Sequence, residues 1–473
     1  RFCDPRRFGL MALTETASLD QHPLLAKLGG EPLDDAFDGA ALAARLKGRR
    51  GPIKNALMDQ SVVAGLGNIY VCESLFRAGL SPRRRAGTVQ GQRARRLADA
   101  GCDVVLIGQP EPADHRNHTG VFASHHDIAR VCRTIDPDPL RAWLAQRSVE
   151  QFEMLTARTG ISCVVGTGHL WVEASAGIDL LAIADQRFDL GCSRRPAAEA
   201  MVAMSYLSLA EGLDTMYEPA PAGYVDPRAH VRSEVLAAVG ARATVVDALV
   251  GSVTVSGHCV EVGTDVGPIS ADRVLLATGA FSGHGDTPLA GLDVEYALHT
   301  QLYVDLDSDE ADRLSGMPSI IAKHADPAGD LYLTPPVPDP ARPGHHVLKI
   351  GTPHDDHVRV PPADLSAWYR TDGDPAVAAR LDSTVRGLLP GLRWTGRWTG
   401  SCVTTYTPTG HPAIDWVGPG VNAGAERIAC CVGGNGYAAK CAPALGGLAA
   451  GMLLGDPWPT EVDRDQFRAR FRM

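Results

Sequence analysis

Residues 93–107 read RARRLADAGCDVVLI: the last turns of a helix, a glycine stop, and an apolar run that the pattern predicts as a buried β-strand. In a βαβ unit that seats a dinucleotide, such a helix follows a strand and a G-x-G-x-x-G turn. The bare glycines of that turn let backbone N–H groups approach a pyrophosphate at the helix N-terminus. Here the preceding residues, 81–92, are SPRRRAGTVQGQ. A leading strand and a phosphate loop are thus expected to be missing, and Gly108 stands where an acidic partner for a ribose belongs.

The chain has 473 residues, 45% of them hydrophobic and 21% charged, enough for two or three packed domains. No apolar run reaches the roughly 18 residues of a membrane span. The most apolar region, 429–455, is broken by Asn435, Lys440 and Pro443. Eleven cysteines occur without one C-x-x-C pair, which argues against a zinc site, a redox dithiol or a disulfide scaffold and suits a cytoplasmic protein. No signal peptide is visible, and the first residue, Arg1, suggests a chain whose beginning was lost.

Charge divides the chain. Residues 1–100 hold 16 Lys and Arg against 10 Asp and Glu, and the remainder 29 against 45. A basic module joined to an acidic one points to a polyanion partner for the first hundred residues, or to a solvated basic helix face. Residues 32–50, PLDDAFDGAALAARLKGRR, combine a proline start, early acids and late bases, the pattern of a helix complementing its own dipole. A short helix with Ile53, Leu57 and Met58 follows, then the turn GLGNIY, then a second helix from about Ile69 to Ala78. The turn has Gly65 and Gly67, but Tyr70 takes the place of a third glycine and no buried strand comes after it. It is not a nucleotide loop.

DPRRFG (4–9), LGGEPL (28–33) and IKNALMDQSVVAGLGNIYVCESLFRAGLSPRRRAG (53–87) resemble the middle of formamidopyrimidine-DNA glycosylase, a helix-two-turn-helix DNA-repair family. The resemblance implies that Lys54, Gly67 and Asn68 grip a phosphate, that Arg6 reads the base opposite a lesion, and that Phe8 wedges into the stack. Otherwise Phe8 is a core aromatic and Asn68 a turn residue. The family's N-terminal proline nucleophile, neighbouring Glu and C-x-x-C zinc finger have no counterpart in this sequence. Base excision is therefore not expected; weak DNA binding through residues 1–100 stays open, with no zinc.

From residue 101 the pattern turns to strands, helices and glycine turns. SHHDIARVCR (124–133), YVDPR (224–228), ATGA (277–280), YLTP (332–335), LKIG (348–351) and CVTTYTPTGHPAID (402–415) follow in the order of a second family. From about residue 93 onward the chain resembles FAD-dependent oxidoreductases of the D-amino-acid oxidase superfamily, nearest to sarcosine oxidase-like flavoenzymes. The resemblance implies FAD, an amine or amino-acid substrate and O2 as acceptor, with hydride leaving a C–N carbon for the flavin. It implies that Arg130 and Arg133 lie near the flavin and a substrate carboxylate, that Lys349 promotes reaction with O2, and that Tyr332 lines the substrate cavity. Thr278, Gly279, Ala280, Gly434, Gly436 and Lys440 fall at cofactor-side positions, Lys440 matching a substrate-binding lysine. Cys402 aligns with a cysteine that bonds the flavin covalently; simple buried packing is the alternative.

The expected architecture is α/β: residues 1–31 the end of a truncated glycosylase domain, 32–92 an all-α helix-two-turn-helix module, and 93–473 a discontinuous Rossmann-like FAD domain lacking its first strand. An antiparallel substrate sheet is expected over about 293–355. The two resemblances meet inside RARRLADA, as in a fusion of two truncated genes. Losing a central strand leaves buried backbone groups unpaired at about 1 to 3 kcal/mol each. An impaired oxidase is expected, with a damaged-DNA-binding remnant or an inactive chimera as alternatives.

Overall fold

The structure is a computed structural model that describes residues 26–32, 37–67, 71–72, 74–75, 78–91, 93–94, 97, 104–122, 127–257, 259–339, 342–352, 359–419 and 426–472. It divides into two compact units, residues 1–105 with 241–243, and residues 106–240 with 244–473. Arg6, Phe8 and Asn68 lie outside the described residues.

In the first unit, helix α1 (Gly39–Leu46) starts at Asp38, whose carboxylate accepts from the amides of Ala40 and Ala41. The proline start expected at Pro32 runs into residues 33–36, which lie outside the described residues; the helix that is described begins after Asp38, whose side-chain acceptor satisfies orphan helix donors. Helix α2 (Ile53–Met58) follows. Leu42, Leu46, Ile53, Leu57, Val62, Val63 and Leu75 make the core. Gln60 clamps the glycine turn from both sides, accepting from Gly65 N at 2.8 Å and donating to Leu66 O at 3.0 Å. The second helix expected from about Ile69 falls largely outside the described residues; Val71, Cys72, Ser74 and Leu75 are helical.

Strand β1 (Val105–Ile107) starts on the last residue of the first unit's main segment; the second unit then contains β2 (Arg130–Cys132), α3 (Pro139–Thr159), β3 (His169–Ala174), β4 (Leu213–Glu218), β5 (Gly223–Val225), α4 (Pro227–Gly240) and β6 (Thr244–Val246). After these come β7 (Val274–Leu276), β8 (Glu295–Leu306), β9 (Ser319–Ala322), β10 (Leu331–Leu333), β11 (His346–Gly351), β12 (Gly396–Tyr406), β13 (Ala413–Val417), β14 (Ile428–Val432) and α5 (Ala438–Leu454). Helix α3 is capped by Asp138 and stops at Gly160, whose φ of 72° suits the left-handed stop that a side chain resists.

A ten-stranded sheet carries the order Arg359–Val360, β8, β11, β10, β9, β3, β4, Ser193–Pro196, with β12 paired along β8 and Val337–Pro338 along β11. Most pairs are antiparallel; β9 and β3 run parallel. Sequence pattern marked only 293–355 for this sheet, yet it also takes in β3, β4 and β12. Pairing across such separations is tertiary, so no local pattern announces it. Strands β2 and β5 form a separate small sheet with Val164–Val165.

The nucleotide-type sheet is in two pieces. β1 pairs with β6, and β7 pairs in parallel with β14, which is antiparallel to β13. Among the described residues no strand bridges β1 and β7. The expectation that β1 is buried is corrected: Val105 is 43% exposed, Leu106 36%, and Val245 on β6 48%. A parallel strand is buried when neighbours and helices cover both its faces, and a two-stranded ribbon lacks that cover.

Candidate functional site

Two buried clusters of charge lie on either side of β2. Before the strand, in the loop, stands Asp127, 4% exposed; on β11 stands Lys349, 2% exposed. The Lys349 ammonium is bonded to Asp127 Oδ2 and donates to Ala129 O at 3.0 Å. Arg130 Nε lies 3.4 Å from the same Asp127 oxygen. On β8, Tyr303 donates to Gln301 Oε1 at 2.6 Å and lies 3.3 Å from Asp127 Oδ1, while Gln301 Nε2 donates to Cys402 Sγ at 3.4 Å. The Lys349 ammonium sits 5.5 Å from the centre of the Tyr332 ring. Gly351, opposite Tyr332 in the β10–β11 register, leaves the space which that ring fills; a Cβ there would collide with it.

Burial fixes the charge states in competition with these partners. Burial by itself would raise Asp127, but Lys349 and Arg130 outweigh it and hold the carboxyl below its usual range. Burial would lower Lys349, and Asp127 reverses that, so the ammonium is held. Burial pushes the Cys402 thiol up to about 11 against the opposing charges of Arg130 and Lys349. It is a neutral thiol at neutral pH.

The second cluster follows β2. Arg133 Nη1 and Lys440 Nζ reach the same oxygen of Asp136, at 2.9 and 2.8 Å. Asp136 is 1% exposed and Lys440, in the first turn of α5, 4%. The Arg133 guanidinium also lies over the Trp171 ring, 4.5 Å from its centre. Glu218, at the end of β4, accepts from Thr134 N at 2.9 Å and Ile135 N at 3.0 Å. Its cross-strand partner His169 has Nδ1 2.9 Å from Ser319 Oγ and a buried Nε2 with no hydrogen-bond partner.

Lys349, Arg130, Tyr332 and Cys402 are thus brought into one cluster, and Arg133 with Lys440 into the other. The remaining nominated residues of the second unit lie in turns that pack against β12, the strand of Cys402. Gly279, at φ 55°, opens a short 3₁₀ turn after β7. Thr278 Oγ1 donates to Ser282 Oγ at 3.2 Å. Ala280 is buried beside a ring stack in which Phe122 and Tyr369 centres lie 5.0 Å apart. Gly434 N donates to Thr405 Oγ1 at 3.0 Å, and Gly436 has φ 74°. For FAD the fit is partial: ring-side candidates are gathered, and a leading strand with a glycine loop ahead of β1 is not among the described residues. In the first unit Lys54 is half-buried on α2 with its amide donating to Pro82 O at 3.2 Å, and Gly67 is exposed in the turn.

Sequence reasoning missed Asp127 and Asp136. Both stand three residues from a nominated arginine, Asp127 before Arg130 and Asp136 after Arg133. That spacing was a usable signal.

The model of the FAD dependent oxidoreductase family matches residues 93–452, and that of the formamidopyrimidine-DNA glycosylase H2TH domain residues 28–108. The chain therefore belongs to the FAD dependent oxidoreductase family and carries an H2TH domain ahead of that region. Formamidopyrimidine-DNA glycosylases of Rhodospirillum rubrum and Rhodospirillum centenum are 48% and 64% identical over 160 and 158 residues. Those alignments cover 32% and 31% of this chain and 57% and 54% of the relatives, so the chain spans about half the length of the curated relatives it matches. Among solved structures, NikD, an unusual amino acid oxidase essential for nikkomycin biosynthesis, has TM-score 0.59 at 17% identity, covering 78% of this chain and 98% of that one. Glycine oxidase from Geobacillus kaustophilus has TM-score 0.55 at 18% identity, with coverage of 78% and 98%. At such identities the likeness is one of fold.

Proposed function

We propose that the second unit is a flavin-dependent oxidase of amines or amino acids, with O2 as acceptor, whose hold on FAD is impaired, and that the H2TH module retains weak affinity for DNA. The observation that carries the oxidase reading is the convergence of Lys349, Arg130, Tyr332 and Cys402 from β11, β2, β10 and β12. Those are the residue types the family places around its flavin ring, and a surface lysine would have no reason to be 2% exposed. The impairment reading rests on the divided sheet. A parallel sheet presents a diphosphate to amides at the C-terminal end of its central strand, and between β1 and β7 no such strand is described.

The test is a titration of the purified chain with FAD, read by the visible flavin band, beside a variant with an apolar strand and a G-x-G-x-x-G turn inserted before Arg93. The insertion is expected to tighten FAD binding at least about tenfold, or about 1.4 kcal/mol. No flavin band in either protein sinks the flavoprotein reading; equal affinity in both sinks the impairment. Acid precipitation of a loaded sample separates a covalent bond at Cys402, which leaves the pellet yellow, from reversible binding.

A further inference from the structure

We propose that Asp136 is the residue that sets substrate class: it occupies the Arg133–Lys440 cation pair as a built-in carboxylate, so the site takes amines that lack a carboxylate rather than amino acids. This rests on the amine-oxidase reading above and narrows it.

Two cations aimed at one point are the usual means of holding a carboxylate, through charge-assisted bonds shorter and stronger than neutral ones. Arg133 and Lys440 make such a pair, but their shared point is already taken by Asp136 Oδ2 at 2.9 and 2.8 Å. Its other oxygen accepts from Asp138 N at 3.1 Å. The occupant is 1% exposed, so it has no ready way out to water. A carboxylate from solution would have to displace a group that is already desolvated and tethered. The tethered group has no translational freedom left to lose, and the incoming one does. Glu218, fixed by the amides of Thr134 and Ile135, is within reach of the charges of Lys440 and Arg133 and adds further negative charge whenever it is ionised. The other nominated cations offer no alternative, since Lys349 and Arg130 are both engaged by Asp127.

What the cluster does leave open is an acceptor. His169 is fully buried and its Nε2 has no partner among the described residues. Ser319 Oγ lies 2.9 Å from His169 Nδ1 and 3.4 Å from the Gly168 carbonyl. With the hydroxyl donating to that carbonyl, Nδ1 carries the ring proton and Nε2 presents a bare lone pair. Burial, with Arg133 and Lys440 nearby, holds the imidazole well below its usual pKa, so it stays neutral. A buried acceptor with no partner recognises an N–H donor, and an amine supplies one.

Thermal melting of the full chain without added flavin tests this. The wild type is melted with formate, with an aliphatic amine, and with the amino acid of the same side chain, each against chloride at matched ionic strength. Formate and the amino acid are expected to leave the wild type unchanged, and the amine to raise Tm by about 2 °C or more. Asp136→Ala is expected to melt lower and to recover saturably with formate, which enters the vacated place. If that variant folds poorly, refolding in formate against chloride makes the same comparison. Saturable stabilisation of the wild type by formate or by the amino acid overturns the proposal, as does a folded Asp136→Ala indifferent to formate. A chain that takes up no flavin, or that responds to neither amine nor amino acid, counts against the amine-oxidase reading instead. The formate arm then still decides whether Asp136 fills the cation pair.

Discussion

Lys349 is bonded to Asp127, 222 residues earlier in the chain, and both side chains are buried. Each ion is costly to bury alone and tolerable with the other. Asp127→Ala is therefore expected to destabilise the second unit by about 3 to 5 kcal/mol, and Lys349→Met by a similar amount. The double variant should cost less than the sum of the two, because neither charge is left unpaired. Urea unfolding of all four proteins checks this; additive losses would show that the pair is not coupled.

Acid should unfold this unit through the same groups. Asp127 and Asp136 both have folded pKa values below the unfolded value of about 3.9. Their contribution is fully present above that value and is lost as pH falls through the folded pKa. Glu218 acts with the opposite sign: burial raises it above 4.5, so stability declines as pH rises from its unfolded pKa through its folded one. Stability measured against pH should therefore fall less steeply on the acid side in Asp127→Asn and Asp136→Asn. In Glu218→Gln it should lose its downward slope above about pH 4.5.

Cys402 should resist alkylation. With its thiol pushed up to about 11 and its side chain only partly exposed, it is expected to react at neutral pH at least about a hundredfold more slowly than the exposed Cys72. Peptide mapping after iodoacetamide treatment of the native chain reports both sites in one experiment. Labelling of Cys402 at the rate of Cys72 would contradict the raised thiol pKa.

The H2TH module should bind DNA through charge. Lys54→Gln is expected to weaken binding to duplexes of any sequence and to lower the salt slope by about 1. Fluorescence anisotropy at several salt concentrations measures both, and an unchanged slope would remove Lys54 from the phosphate contacts.

The sequence alone determined the two-part organisation, the H2TH resemblance, the oxidoreductase resemblance, and the gap ahead of RARRLADA. All of these are carried by local patterns: a glycine turn between two helical stretches, runs of period two, a missing G-x-G-x-x-G. It also nominated Lys349, Arg130, Tyr332 and Cys402, which come from four separate strands and meet. The tertiary structure decided what those residues meet. That β1 is an exposed ribbon, that the large sheet recruits β3, β4 and β12, and that Asp127 and Asp136 neutralise the nominated cations all depend on contacts between distant segments. A side chain's charge is written in its codon, but whether that charge is available to a ligand depends on which other charge folding buries beside it.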